Sequence, residues 1–394
     1  MAILAQNDPA ALNSAGMAAL REQRFADAAN AFEAAAKADP GATALWRNLA
    51  TARRALGDDR GELAALDAAL DIDRRDFMAW LRKAEAHQRL NEEAQAFAAW
   101  QAVLQLAVHL DPMPDALAAV LAAGREFCAA CASRIEYQVA EALGDFQAQM
   151  PATPARRARA FVDAAMGKRK IYVNECNGLC YPFLPADEFF DDAHFPWFAE
   201  VESKTDLIRE EMLALLADPG DALRPYVRME KGAPQNKWSP LDQSLAWGAC
   251  FLWEYGRPND AVLQRCPATA EALASIPQSN IPGRAPTAFF SILKPRTRIP
   301  PHTGVTNTRA IIHLPLVVPD GCGFRVGGET RAWKVGKAFA FDDTIEHEAW
   351  NDSDEMRAVL IFDAWNPHLT PEEQKVIVSY YAAADATGFN TNLD

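Results

Sequence analysis

Positive charge is scarce in this chain: 39 Lys and Arg stand against 53 Asp and Glu in 394 residues, a formal net charge of -14 at pH 7. An acidic surface repels phosphate backbones and anionic lipid heads, so nucleic acid is not an expected partner. Long apolar runs are also missing. No window approaches the roughly 20 residues a membrane-spanning helix needs, and the opening MAILAQNDPAALNSAG lacks the basic stretch and apolar run of a secretory leader. Cysteine is sparse, with 7 residues irregularly spaced and odd in number, which argues against a disulfide framework and leaves at least one thiol free. Together these absences point to a cytoplasmic protein in a reducing compartment. What is present is ample apolar content, 50% of residues, in a length that suits two or three globular domains.

The first hundred residues repeat. Trp46 and Trp80 lie 34 residues apart with Leu12 in the preceding place, and Phe32, Leu66 and Trp100 keep the same period, as do the small residues Gly16, Ala50 and Ala84. Large side chains at one phase and small ones at another suit paired helices, because the small residue lets the partner helix approach. Asp39-Pro40 closes the first pair, since proline cannot continue a helix and biases its predecessor away from helical dihedrals. The spacing Leu12, Gly16, Ala28, Phe32, Ala35, Pro40 resembles the tetratricopeptide repeat. An alanine-rich bundle would give part of this pattern, and the later units lack the proline. The repeats occupy 8–108 within a first segment 1–110. Such an array can present a groove to a protein partner or serve as a packing arm. Residues 111–167 read as a helical connector with breaks at Pro112, Pro114, Pro151 and Pro154.

Past Lys168, in a last segment 168–394, the composition turns to aromatics and proline, as in YPFLPADEFFDDAHFPWF (181–198). From about residue 286 strand-like runs take over: AFFSILK (288–294), RAIIHLPLVV (309–318), KAFAFD (337–342) and MRAVLIFDAW (356–365), punctuated by PDGCG and VGG. Short strands at close spacing predict a sandwich or barrel whose mouth can hold a ligand.

Two histidines sit in that region: His302 at a loop or strand start in RIPPHTGVTN, and His347 after an acidic turn in FDDTIEHEAWN. Two imidazoles on neighbouring strands of a rigid barrel can occupy one face of an iron(II) octahedron and leave the rest open. Arg357 lies in an apolar strand, where a charge is costly unless paired. No sequence neighbour supplies a carboxylate, and a bound dicarboxylate would satisfy the guanidinium bidentately. His313, embedded in IIHLPLVV, could bond the same ligand. Singly, a buried histidine is more often a core residue than a ligand; their combination in one short β region points to a site.

Phe290 to Thr370 resembles the aspartyl/asparaginyl β-hydroxylase family of iron(II)- and 2-oxoglutarate-dependent oxygenases, through FSILKP (290–295), PHTGVTNTR (301–309), IHLPLVVP (312–319), FDDTIEHEAWND (341–352) and RAVLIFDAWNPHLTPEE (357–373). KWSPL (237–241), LWEYGR (252–257) and PWFAEVES (196–203) extend it more faintly, so that it covers roughly 170–375. The resemblance implies an α+β chain, with the all-α repeat array followed by a double-stranded β-helix, a jelly-roll or cupin-like oxygenase domain. It implies that His302 and His347 bind iron, that Arg357 with Ser291 holds the far carboxylate of 2-oxoglutarate, and that His313 contacts the near one, with O2 as the co-oxidant. On the substrate side it implies Arg309 and Asp343. Trp238 is a further candidate there, grouped with Trp253 and Tyr255 as core or pocket-lining aromatics.

Two departures matter. The family's second arginine, two residues beyond Arg309, is Ile311, which removes a strong carboxylate binder. His302-Thr303-Gly304 carries no ligand where many non-haem iron sites have His-x-Asp or His-x-Glu, so water or an anion such as chloride would fill that position. Halogenation is therefore one alternative to hydroxylation. Asp342 and Asp343 read first as turn residues. The expected activity is hydroxylation of an unactivated carbon in an aspartyl- or asparaginyl-like residue of a peptide or protein. The alternatives are a free amino acid, a small metabolite, a lipid acyl chain, or a non-catalytic scaffold. Cys128-x2-Cys131 with Cys176-x3-Cys180 could imitate a zinc site, but irregular spacing favours structural thiols. His87, His109, His194 and His368 have no constellation around them.

Overall fold

The computed structural model describes residues 8–109 and 115–388. Pro112 and Pro114 lie outside the described residues, as do residues 1–7 at the head of the leader reading. The chain forms two compact units, Met1–Met150 and Pro151–Asp394.

The first unit is a series of helices: α1 (Pro9–Arg21), α2 (Phe25–Ala38), α3 (Thr43–Ala55), α4 (Asp59–Ile72), α5 (Phe77–Arg89), α6 (Glu93–Ala107) and the long α7 (Asp115–Ala148). Aspartates start several of them: the Asp8, Asp58 and Asp76 carboxylates each accept a first-turn amide. The 34-residue period has a structural cause. The Trp46 indole donates to the Pro40 carbonyl and the Trp80 indole to the Arg74 carbonyl, each six residues back. A Cβ on Gly16 would fall 2.6 Å from the Phe32 ring, so glycine is what lets α1 and α2 close. Cys128 packs against the cluster of α6 and α7 around Trp100 and Leu121, and Cys131 is buried on α7.

The second unit begins with α8 (Ala152–Ala165), for which Pro151 is the N-cap. Pro154 does not break the chain as expected. It lies in the first turn of α8, where a missing N–H costs nothing. Short helices α9 (Phe198–Ser203), α10 (Thr205–Ala217), α11 (Asp260–Leu263) and α12 (Pro267–Ala274) and the C-terminal α13 (Pro371–Ala386) surround eleven strands. These are β1 (Leu223–Pro225), β2 (Trp247–Glu254), β3 (Arg257–Pro258), β4 (Ala288–Leu293), β5 (Thr297–His302), β6 (Arg309–Val317), β7 (Cys322–Val326), β8 (Glu329–Arg331), β9 (Phe339–Phe341), β10 (His347–Asn351) and β11 (Arg357–Trp365).

One antiparallel sheet runs β1-β2-β4-β11-β6-β9, with β3 on β2, and a second runs β5-β10-β7-β8. From β4 onward the chain winds between the two sheets, so that β4, β11, β6 and β9 face β5, β10, β7 and β8 in a double-stranded β-helix. Strand alternation sorts the side chains. On β11, Ala358, Leu360 and Phe362 join the outer cluster with Ile208, Met212 and Leu273 of the helices. Val359 joins Phe324, Val326 and Phe341 between the sheets. Arg357, Ile361 and Asp363 share the inward parity of Val359.

Candidate functional site

The two histidines are register partners: His302 ends β5, His347 opens β10, and they stand directly opposite in the ladder. Their rings are 4.0 Å apart between centroids. His302 Nδ1 lies 2.8 Å from the Pro300 carbonyl and His347 Nδ1 lies 3.0 Å from the Ile345 carbonyl. A carbonyl can only accept, so each Nδ1 is the N–H donor and each Nε2 keeps its lone pair. Burial pushes the His302 pKa down to about 4 and takes His347 well below its ordinary value. Both imidazoles are therefore neutral at pH 7, the form that ligates a metal. Among the described residues no cluster of three or more His, Cys, Asp or Glu side chains could hold a metal ion.

Arg357 is 1% exposed. Its Nη1 donates to the Ser291 hydroxyl at 3.2 Å and to the Ser291 carbonyl at 3.3 Å, while its Nε has no partner. The guanidinium lies over the Trp333 ring at 4.4 Å. Burial drives its pKa down to about 9, which is the mark of a charge without a counter-ion. The Trp247 indole donates to the same Ser291 hydroxyl at 3.1 Å, which fixes that oxygen beside the guanidinium. His313 is ringed by Phe324, Phe339 and Phe341, and its Nδ1 is buried without a partner.

The proposed substrate residues divide. Arg309 lines the same cavity, but its guanidinium is bonded to Asp363 at 2.9 Å. Burial works against that charge, and Asp363 and Asp343 outweigh it and raise the Arg309 pKa. Asp343 is pushed up to about 7, chiefly by burial and in part by Asp342, against the pull of Arg309, and its Oδ1 has no partner. A side chain on Gly304 would land on this carboxylate. The space vacated at position 304 is therefore held by Asp343 from the opposite loop. Asp342 plays the turn role, accepting from the Thr344 amide and hydroxyl and from Asn174. Trp238 stands edge-on to the His302 ring at 4.9 Å. Trp253 packs on the outer cluster instead, while Tyr255 lines the cavity.

All eight candidate residues, His302, His347, Arg357, Ser291, His313, Arg309, Asp343 and Trp238, line one cavity of about 530 Å³. Sequence reasoning missed its aromatic wall. Tyr226 stacks on Trp247 at 4.0 Å and Phe251 on Phe289 at 4.9 Å, with Ile311 and Ile361 also lining the cavity. It also missed Asp363, although the two-residue step from Arg357 through Val359 and Ile361 leads to it. His87 and His368, set aside earlier, each pair with a carboxylate, Glu92 and Asp187.

Residues 202–367 match the model of the family described as aspartyl/asparaginyl beta-hydroxylase. The chain is 35% identical over 188 residues to the human aspartyl/asparaginyl beta-hydroxylase, covering 46% of this chain and 24% of that protein. It is 32% identical over 200 residues to the ornithine lipid ester-linked acyl 2-hydroxylase of Rhizobium tropici, covering 50% of this chain and 67% of that one. The chain thus spans about a quarter of the human relative's length. Among solved structures, the Arabidopsis OM64 TPR domain aligns at 21% identity over 30% of this chain and 94% of that one, with a TM-score of 0.27.

Proposed function

The chain belongs to the aspartyl/asparaginyl β-hydroxylase family, and we propose that it is an iron(II)- and 2-oxoglutarate-dependent hydroxylase. The observation that carries this reading is an unpaired, buried guanidinium sharing one cavity with two neutral, register-paired imidazoles. A buried charge without a partner costs several kcal/mol, and a 2-oxoglutarate carboxylate supplies the missing counter-ion at Arg357 and Ser291. His302 and His347 would hold the iron through Nε2. His313, with its unpartnered Nδ1, would contact the near carboxylate. Bound together with O2, iron and 2-oxoglutarate supply the oxidising power that replaces an unactivated C–H hydrogen by hydroxyl, yielding succinate and carbon dioxide.

The protein's own contribution is positioning and exclusion of water. Trp238 abuts His302, and the stacked Tyr226, Trp247, Phe251 and Phe289 give the substrate an apolar wall. Asp343 holds the space beside Gly304, where a halide would face a carboxylate, and this weighs against halogenation. Retention of the whole constellation weighs against a mere scaffold.

The substrate side favours a second choice over an aspartyl residue. With Ile311 in place of an arginine and Arg309 already neutralised by Asp363, neither position expected to bind a substrate carboxylate offers a free guanidinium, and the exposed Arg228 is the remaining arginine on the substrate side of the cavity. The geometry suits a carbon chain without a carboxylate next to the reacting carbon, such as the acyl chain in the Rhizobium relative's name, better than an aspartyl side chain. An amide-bearing residue of a peptide would also satisfy it.

Anaerobic addition of iron(II) and 2-oxoglutarate tests the cofactor reading through the weak visible charge-transfer band of the chelate. The band is expected in the wild type and absent in His302→Ala; a wild type with neither band nor tight 2-oxoglutarate binding refutes the proposal. Aerobic turnover with peptides and lipid extracts, read by mass spectrometry, tests the substrate. A gain of one oxygen on asparaginyl or acyl carbons is expected, and efficient turnover of aspartyl peptides would sink the substrate choice.

A further inference from the structure

We propose that Cys176 and Cys180 form an oxidation site, a dithiol that hydrogen peroxide converts to a disulfide, and that its closure releases the strap holding the turn after His302. The strap is residues 174–181, outside any helix or strand. The Cys176 thiol is half-buried beside the Cys180 thiol, which is exposed and donates to the Tyr181 carbonyl at 3.8 Å. The other five thiols differ. Cys131, Cys250 and Cys266 are buried, Cys128 packs between helices, and Cys322 bonds to Asn351.

What sets this pair apart is what lies between its members. The Asn177 amide donates to the Gly304 carbonyl at 3.0 Å and its side chain to the Thr303 carbonyl at 2.9 Å, while the Gly178 amide donates to the Val305 carbonyl at 2.8 Å. Tyr181 continues the seam through Asn307 at 2.7 Å. Upstream, Asn174 bonds to Asp342 and Thr344, and the Glu175 amide bonds to the Thr344 carbonyl at 2.9 Å. One short segment thus docks both on the turn that follows His302 and on the turn that precedes His347. Closing a five-residue ring around Asn177 and Gly178 draws the two sulfurs to bonding distance, about 2.05 Å, with a specific dihedral. The backbone between the two cysteines must follow the sulfurs, and the proposed consequence is that the Asn177 and Gly178 amides turn away from Gly304 and Val305.

The chemistry balances in two steps. The exposed Cys180 sulfur attacks one peroxide oxygen and breaks the O–O bond, giving the sulfenic acid and one water. The Cys176 sulfur then attacks that sulfur, forming the S–S bond and releasing the hydroxyl as a second water after taking up the Cys176 proton. The two thiols lose two electrons in total, and the peroxide gains them. Burial and the neighbouring Cys180 hold the Cys176 thiol up at about 12.

The test uses the full-length, metal-free protein treated with hydrogen peroxide. It is read by non-reducing peptide mapping and amide hydrogen exchange, neither of which depends on iron, 2-oxoglutarate or turnover. A Cys176–Cys180 link with loss of two hydrogens is expected, with exchange at the Asn177 and Gly178 amides at least about tenfold faster and both effects reversed by dithiothreitol. Cys176→Ser and Cys180→Ser should show neither effect. Accumulation of sulfinic acid at Cys180 without a link, a link to another cysteine, or a link that leaves those two amides protected would each overturn the proposal.

Discussion

Arg357 was legible because a guanidinium in the apolar run MRAVLIF contradicts its surroundings, and the structure puts it between Ser291 and Trp333 with no carboxylate bonded to it among the described residues. Replacing it should separate binding from folding. Arg357→Met removes about two charge-assisted bonds to 2-oxoglutarate, each worth about 1.5–3 kcal/mol, so affinity should fall at least about 100-fold by isothermal titration. The metal-free protein should hold or raise its Tm, since an apolar side chain replaces an uncompensated buried charge; a large fall in Tm would mean that Arg357 has a partner of its own. Asp343 offers a pH test. Its folded pKa of about 7 lies above the ordinary 3.8, so its protonated form contributes stability that is full below 3.8 and is lost as pH rises through 7. Asp343→Asn should therefore gain on the wild type between pH 4 and 7 and keep a constant margin above 8, measured by thermal melts of metal-free protein. A margin that does not change with pH would place the ordinary pKa at this carboxylate. The inward face of Asp363 was legible from the two-residue step along its strand, but its pairing was not, because its partner Arg309 is 54 residues away and nothing local announces an ion pair of that separation.

At the scale of elements, β4, β6, β9 and β11 were readable from their apolar, β-branched and aromatic runs, whereas β5 was not. TRIPPH carries Pro300 and Pro301, and proline argues against a central strand. The structure resolves this by placing β5 at the edge of the smaller sheet, where an unpaired side tolerates missing donors. His302 accordingly ends a strand and does not start one. The repeat helices were readable through period, and their close packing invites a direct test at Gly16. Glycine to alanine gains about 1 kcal/mol of helix propensity. The new Cβ would fall 2.6 Å from the Phe32 ring, and overpacking of that kind costs about 1–3 kcal/mol. The clash should win. Gly16→Ala is expected to destabilise the repeats by up to about 2 kcal/mol in urea, and Phe32→Leu should recover part of that loss in the double variant. Additive effects of the two substitutions would show that the ring and the glycine are not coupled.

For the whole molecule, the composition shift near Lys168 marked where chemistry begins, yet the chain divides at Met150/Pro151. The helical pattern concealed that division because α7 and α8 read as one alanine-rich connector, although α7 belongs to the first unit and α8 to the second. Every residue lining the cavity lies between Pro225 and Asp363, and the cluster between the sheets is drawn from the same unit. A chain beginning at Pro151 should therefore fold alone and bind 2-oxoglutarate within about threefold of the full-length protein, a difference under about 0.7 kcal/mol. Turnover of a substrate recruited through the repeats should fall much further, as a rise in KM with little change in kcat, because the repeats would add affinity without touching the reacting atoms. If the shortened chain folds, shown by circular dichroism and a cooperative melt, but loses 2-oxoglutarate, the repeats support the cavity itself. If KM does not move for any substrate that turns over, the repeats serve packing and not recruitment.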